Sequence, residues 1–344
     1  MNIYLDNGYL DMRGIIETGY PFIFIPAARA TGKTYGGLKY FTEEHEKIIL
    51  LRRTQTETDL QNDPQGDGTS FQPVFNDMGI PWHVVKKKNL GYVVNDDPEY
   101  TYINGDPAVA SINLALSTFA NIRGAFDFSY IKRIFFDEFI AESHVKKIKN
   151  EGMAFANLYE SINRNRELKG EDPVQCIFTA NAVNMANDIF MYFDIISHAE
   201  SMLQSGEEVR AVGNKLIVIP QHSPISARKK KTALYQAVNS EFTDMAVNNK
   251  FVLNDFTYVR KMPLNEYQCI FQAGDLFVYK HKSRQDFYVT FRKGVTKEIY
   301  EANYSGLEKM NRQRWKFPGY YMDGMIFFES YRCVALFEKY FNLS

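Results

Sequence analysis

Residues 22–51 of the 344-residue chain carry the pattern that most narrows its fold. An apolar run, Phe22 to Ile25, passes through Pro26 into a loop of small residues, Ala27-Ala28-Arg29-Ala30-Thr31-Gly32, and then into a helical stretch from Lys33 to about Lys47. A second apolar run, Ile48 to Leu51, follows at once. Strand, loop, helix and strand in so short a span open an α/β unit built on a parallel sheet. The segment Ala27 to Thr34 (AARATGKT) fits the pattern G-x-x-x-x-G-K-[ST], with Ala27 in place of the first glycine. That layout suits a polyphosphate: backbone N–H groups wrap it, the lysine reaches the β and γ phosphates, and the hydroxyl meets Mg²⁺. The helix N-terminus adds a favourable dipole. Ala27 can serve only if its φ stays negative, since glycine alone is indifferent to the sign. A plain strand-to-helix turn is the bland alternative, and the strand before and helix after count against it.

A second apolar strand, Ile134-Phe135-Phe136, ends in Asp137-Glu138. An aspartate at such a tip can hold the Mg²⁺ that Thr34 binds, and the next glutamate can polarise a water that attacks the γ phosphate. That pairing makes hydrolysis the natural reaction, and an extra strand is expected between the two motifs in the sheet. Val174 to Phe178 reads as a buried strand whose tip, Thr179-Ala180-Asn181, offers Asn181 as a phosphate or water sensor, with a turn-capping asparagine the equal alternative. In the helical region of roughly 144–168, Phe155, Leu158 and Ile162 share a face with Arg166, whereas Arg164 lies about 200° around the axis from it. Arg166 is therefore expected to point inward and Arg164 outward, where it can reach a neighbouring subunit's nucleotide. Arg123, on a loop before the Asp137 strand, is a further candidate.

Composition sets the class. The chain is 45% hydrophobic and 24% charged, as in a folded globular protein, and its 40 basic and 41 acidic residues give a formal charge of −1. Any nucleic acid must then be held by local patches. Cys176, Cys269 and Cys333 lie far apart and imply neither a disulfide framework nor a zinc site. No apolar run reaches the ~18 residues of a membrane span, and the expectation is a cytoplasmic protein. Asn-Asp-Asp-Pro and Asn-Gly-Asp-Pro, between 82 and 118, mark expected hairpins, and Leu216 to Ile219 is the last strand of the α/β unit. Beyond the basic stretch at 228–231, short strands at Gln268–Phe271, Leu276–Tyr279 and Phe287–Phe291 and a helix from Cys333 to Phe341 describe a small α+β domain. The expected organisation is an ATPase domain over 1–226, a linker over 227–256 and a second domain over 257–344.

Taken together, AARATGKT, RIFFDEF, INRNRE and CIFTANAVN, in this order, resemble the DNA-packaging ATPases of φ29-like tailed bacteriophages, and the likeness runs on through KLIVIP and RKKKTALYQAV. It covers roughly the first 250 residues. The resemblance implies an ASCE-type P-loop NTPase domain in which Ala27 to Thr34 and Asp137 hold ATP and Mg²⁺, Glu138 is the catalytic glutamate and Arg164 acts in trans. It also implies a homopentameric ring at the portal of a prohead, in the host cytoplasm, driving double-stranded DNA inward, with a prohead RNA in some such motors. The C-terminal domain is then similar to an RNase H-type nuclease that has lost its metals. Asp275, Asp286 and Asp323 lack the spacing of a two-metal centre, so no cleavage is expected.

Gripping any sequence calls for phosphate contacts. Lys86-Lys87-Lys88 and Arg228-Lys229-Lys230-Lys231 are the strongest basic runs, though solvated surface is the commoner role for each. Two rival functions remain at this level: a large terminase with a working nuclease, and a nucleic-acid-binding scaffold whose phosphate loop is a relic.

Overall fold

The computed structural model describes residues 1–63, 69–124, 126–141, 148–181, 185–225, 228, 231–233, 237 and 258–343. The chain divides into two compact units, Met1–Val183 with Met202–Val252, and Asn184–Ser201 with Leu253–Ser344. The expected linker lies almost wholly outside the described residues, as do Lys229 and Lys230. No helix among the described residues is long and apolar enough to cross a membrane.

The first unit is built on nine strands: β1 (Phe22–Ala27), β2 (Ile48–Arg52), β3 (Trp82–Lys87), β4 (Leu90–Asn95), β5 (Val109–Ala115), β6 (Arg133–Asp137), β7 (Gln175–Asn181), β8 (Val209–Val212) and β9 (Lys215–Val218). Their order is β3-β4-β5-β2-β6-β7-β1-β9-β8. From β5 to β9 each neighbouring pair is parallel, and the hairpins β3–β4 and β8–β9 close the two edges. Strands covered on both faces read as unbroken apolar runs, which is why IFI, IILL, IFF and CIF stand out in the sequence. β7 separates β1 from β6, so the strand carrying Asn181 lies between the phosphate-loop strand and the acidic strand.

The helices are α1 (Met12–Ile16), α2 (Lys33–Glu43), α3 (Gln55–Gln61), α4 (Gln72–Met78) and α5 (Glu151–Asn163). Alternation along each strand decides what they cover. Ile23, Ile25, Phe135 and Ile177 join a core with Leu38 and Phe41 of α2. Phe24, Phe136 and Phe178 alternate with these, and Phe155 of α5 lies 4.8 Å from Phe178 and 5.9 Å from Phe136, ring centre to ring centre. Phe178 also stacks on Phe24 at 4.5 Å and touches Phe139. Phe178→Ala therefore empties the middle of this layer and is expected to cost about 3–5 kcal/mol in a denaturant titration; a loss below about 1 kcal/mol would contradict the packing.

Several expectations are corrected. α2 stops at Glu43 rather than near Lys47, because His45 takes a left-handed backbone (φ 52°) and turns the chain into β2. Asn-Asp-Asp-Pro and Asn-Gly-Asp-Pro both fall in the single β4–β5 connection. The hairpin turn is instead Lys88-Asn89, with Lys88 at φ 57°, so Lys86 and Lys87 end β3 and Lys88 sits in the turn. α5 ends at Asn163: Arg164 and Asn165 are both left-handed (φ 49° and 55°), and Arg166 opens a short 3-10 turn. One helix does not run through both arginines.

In the second unit, β10 (Tyr267–Ala273), β11 (Leu276–His281) and β12 (Phe287–Thr290) form an antiparallel meander. β13 (Ile299–Tyr300) lies parallel beside β10, and β14 (Ile326–Phe328) parallel beside β12, giving the order β13-β10-β11-β12-β14. α6 (Asp188–Tyr192) belongs to this unit, and the division between the units falls within α7 (Ile196–Ser205). α8 (Tyr304–Gln313), α9 (Phe317–Met322) and α10 (Tyr331–Tyr340) complete it. Phe317 bridges sheet and helices, 5.1 Å from Phe271 and 4.9 Å from Phe287.

Candidate nucleotide site

The C-terminal ends of β1, β2, β6 and β7 lie along one edge of the parallel sheet, where α/β folds place their ligands. The loop from Ala28 to Gly32 joins β1 to α2 here. Ala27 is the last residue of β1 and keeps an extended backbone, so the missing first glycine is no obstacle. The left-handed positions are Ala30 (φ 58°) and Gly32 (φ 87°). A Cβ at Gly32 would also lie 3.2 Å from the Tyr9 ring, a tight approach. Leu10 N–H donates to the Thr31 carbonyl at 3.0 Å, and the Thr31 hydroxyl donates to the Ala28 carbonyl at 3.0 Å, which stiffens the loop. Arg29 and Ala30 are exposed. Lys33 is buried, and its ammonium donates to the carbonyls of Ala27 (2.9 Å) and Ala28 (2.8 Å), folded back over the loop.

Asp137 is the buried centre of the edge. The Thr34 hydroxyl lies 3.1 Å from both of its carboxylate oxygens, the Thr179 hydroxyl donates to Oδ1 at 2.5 Å, and Arg52 Nη2 stands 2.8 Å from Oδ2. Thr34 and Asp137 are hard oxygen donors at the mouth of an N–H-lined loop, a set that fits Mg²⁺ beside phosphates. Glu138 takes a left-handed backbone (φ 59°), which turns its side chain out of the strand register. Its half-exposed carboxylate lies 3.0 Å from Arg52 Nη1. Strain of this kind collects at working sites. Asn181 stands opposite Ala27 in the β1–β7 register, at the loop's shoulder.

The arginines separate as expected in exposure, for a different reason. Arg166 is buried and donates to the Ser129 carbonyl. Arg164, at the turn where α5 ends, is about half exposed and meets Asp127 at 2.9 Å. The Ser129 N–H and hydroxyl, and then Arg164, hold the Asp127 carboxyl below its ordinary range. Arg123 is exposed in the turn after the short helix Leu116–Asn121. Among the basic runs, Lys86 pairs with Asp59 at 2.8 Å, Lys87, Lys88 and Lys231 are exposed, and Arg228 donates to the Asn7 carbonyl at 3.1 Å.

Two site residues escaped the sequence reading. Thr179 shares a strand face with Asn181, a period-of-two relation visible in Thr-Ala-Asn. Arg52 follows four apolar residues of a buried strand, and a charge placed there must find a partner. In the second unit, Asp275 lies in the β10–β11 turn and Asp323 at the end of α9, while Asp286 accepts from Tyr267 (2.8 Å) and Arg284 (3.0 Å). Among the described residues, no group of three or more His, Cys, Asp or Glu side chains is placed to hold a metal.

The sequence profile described as Podovirus DNA encapsidation protein (Gp16) matches residues 15–302. The chain is 24% identical to the DNA packaging protein of Bacillus phage PZA over 328 residues, 89% of either chain, and equally to that of Bacillus phage phi29. Its fold is similar to a solved structure described as the Phi-28 gp11 DNA packaging motor, with a TM-score of 0.64, 14% identity and coverage of 98% and 99% of the two chains.

Proposed function

The chain belongs to the podovirus DNA encapsidation protein (Gp16) family, and from that premise we propose an ATP-hydrolysing motor that drives double-stranded viral DNA into a preformed capsid. The observation that carries this reading is the convergence of the Ala27–Thr34 loop, the Asp137-Glu138 tip and Asn181 on one sheet edge. Phosphate oxygens take over the Lys33 ammonium from the two carbonyls that hold it. The loop N–H groups and the α2 N-terminus receive the rest of the charge. Thr34 and Asp137 would hold Mg²⁺, which would supply neutralisation of phosphate charge. Glu138 accepts the proton of the attacking water, and Asn181 orients that water or the γ phosphate. Arg52 and Thr179 fix Asp137 in place.

Arg164 faces outward from its own subunit, and we assign it to the nucleotide of a neighbour in a homomeric ring, a pentamer by family resemblance. Its link to Asp127 is solvent-exposed and easily exchanged. Arg166 braces the Asp127–Ser129 turn, and Arg123 is the alternative trans residue. The ring works at the portal of the prohead in the host cytoplasm, with a prohead RNA a further partner. We read the second unit as an RNase H-like fold without a cutting centre: its meander has a parallel strand beside the first strand, and Asp275, Asp286 and Asp323 flank different elements. Shared sites make ATPase activity rise more than linearly with protein concentration, and double-stranded DNA raises it further. Strict proportionality from nanomolar to micromolar protein contradicts the ring.

Lys87, Lys88, Lys231 and Arg228 are the exposed cations proposed to meet DNA phosphates, with Lys86, Lys229 and Lys230 in the same two runs. Each phosphate contact contributes about 0.9 to the slope of log affinity against log salt. Lys87→Ala with Lys88→Ala should therefore flatten that slope by about 2 in a DNA-binding titration. An unchanged slope removes the β3–β4 turn from the DNA path.

A further inference from the structure

We propose that Arg53 and Glu151 are positioning residues for the intersubunit arginine: their buried ion pair fixes α5 along its own axis and so sets where Arg164, at the far end, is presented. The inference rests on the reading of Arg164 as a group that works in a neighbour's site.

Arg53 directly follows Arg52 at the tip of β2 and is 1% exposed. Its Nε donates to Glu151 Oε1 at 2.7 Å and its Nη2 to Oε2 at 3.2 Å, a fork closed on one carboxylate. Among the described residues the remaining nitrogen, Nη1, is buried without a hydrogen-bond acceptor. Such a pair is a poor device for stability, because two charges are desolvated and one donor is left unpaired; apolar side chains often replace buried pairs at no loss. What it supplies is direction. The Arg53 backbone is itself pinned, its N–H to the Glu57 carboxylate at 3.1 Å and its carbonyl by the Ser117 N–H at 3.0 Å. One strand tip thus holds Asp137 and Glu138 through Arg52 and the start of α5 through Arg53.

Glu151 is the first residue of α5, and Arg164 caps the other end. Thirteen residues of helix span about 20 Å. The apolar face of Phe155, Leu158 and Ile162 decides which side of α5 meets the sheet, but apolar burial is non-directional and leaves the axial position loosely held. A forked guanidinium–carboxylate contact is not loose. An arginine that must meet a phosphate in the next subunit tolerates little error, since a misplacement of about 1 Å can cost about 100-fold in rate.

The test uses full-length chains mixed in one ring. A Glu138→Gln donor, its Arg164 intact, should restore DNA-stimulated ATPase to an Arg164→Ala acceptor. Adding Arg53→Met and Glu151→Leu to the donor is expected to cut that rescue 10- to 100-fold, with the donor's melting temperature and its binding of a fluorescent ATP analogue unchanged. The same pair of substitutions in the acceptor should leave rescue within about 3-fold. A donor carrying Glu151→Gln makes the same test with a smaller change of shape should the apolar pair not fold. Full rescue by either folded donor overturns the proposal, as does equal loss when the substitutions sit in the acceptor. No rescue by the plain Glu138→Gln donor overturns the trans reading of Arg164 itself, and this proposal with it.

Discussion

Glu138→Gln is expected to lower kcat for ATP hydrolysis about 10²- to 10⁴-fold, the range for loss of a positioned proton acceptor, while ATP binding stays within a few-fold. Of the two acids at the β6 tip only Glu138 is accessible: its side chain is 55% exposed, against 3% for Asp137. Asp137 is occupied by Thr34, Thr179 and Arg52 and cannot reach a water without leaving them. The left-handed backbone at Glu138 takes its carboxylate out of the strand's alternation. Glutamine keeps the shape and a hydrogen bond to the water but cannot accept the proton, so the loss should appear in kcat and leave the KM for ATP nearly unchanged. Single-turnover hydrolysis with separate nucleotide-binding titrations distinguishes the two. A kcat within about 3-fold of the parent protein would remove Glu138 from the chemistry.

Arg164→Ala is expected to cost about 10³- to 10⁵-fold in hydrolysis by the assembled ring, the range for arginines supplied in trans to a transferring phosphate. Arg164→Lys should recover little of it, because a point charge lacks the planar fork that spans two phosphate oxygens. The geometry behind this is local. Arg164 leaves α5 in a left-handed turn, is about half exposed where Arg166 is buried, and pairs with the exposed Asp127. Asp127→Ala should therefore leave hydrolysis at least as fast as in the parent protein. An Arg164→Ala ring that keeps more than a tenth of the parent activity would return the trans role to Arg123.

The elements that sequence reveals best here are those with unbroken apolar runs. The middles of strands β1, β2, β6 and β7 are buried on both faces and read as apolar runs, and in β2, β6 and β7 a polar residue follows the run. That is why the ends of these strands, where Asp137, Glu138 and Asn181 lie, can be read from the sequence. The strand order is not encoded in those runs, and the contacts of Arg52, Arg53 and Thr179 depend on it: each meets an acid from another strand or helix. The end of α5 left no local mark either, because arginine has no preference for the left-handed backbone that Arg164 adopts. The β4–β5 loop shows the opposite failure. Asn-Asp-Asp-Pro and Asn-Gly-Asp-Pro are genuine turn signals, yet both serve one long connection, while the true hairpin turns at Lys88-Asn89. The edge hairpin β8–β9 was half missed because Val-Arg-Ala-Val is only partly buried.

The central claim is that a nucleoside triphosphate is held by the Ala27–Thr34 loop with its γ phosphate facing Glu138. It is tested most directly by a crystal structure of the ring grown with Mg²⁺ and a non-hydrolysable ATP analogue. The account predicts Lys33 Nζ moved from the Ala27 and Ala28 carbonyls onto the β and γ phosphates, the metal beside Thr34, and Glu138 within reach of a water in line with the γ phosphorus. A nucleotide bound elsewhere, or a loop with Lys33 still on those carbonyls and Glu138 turned away, would contradict it.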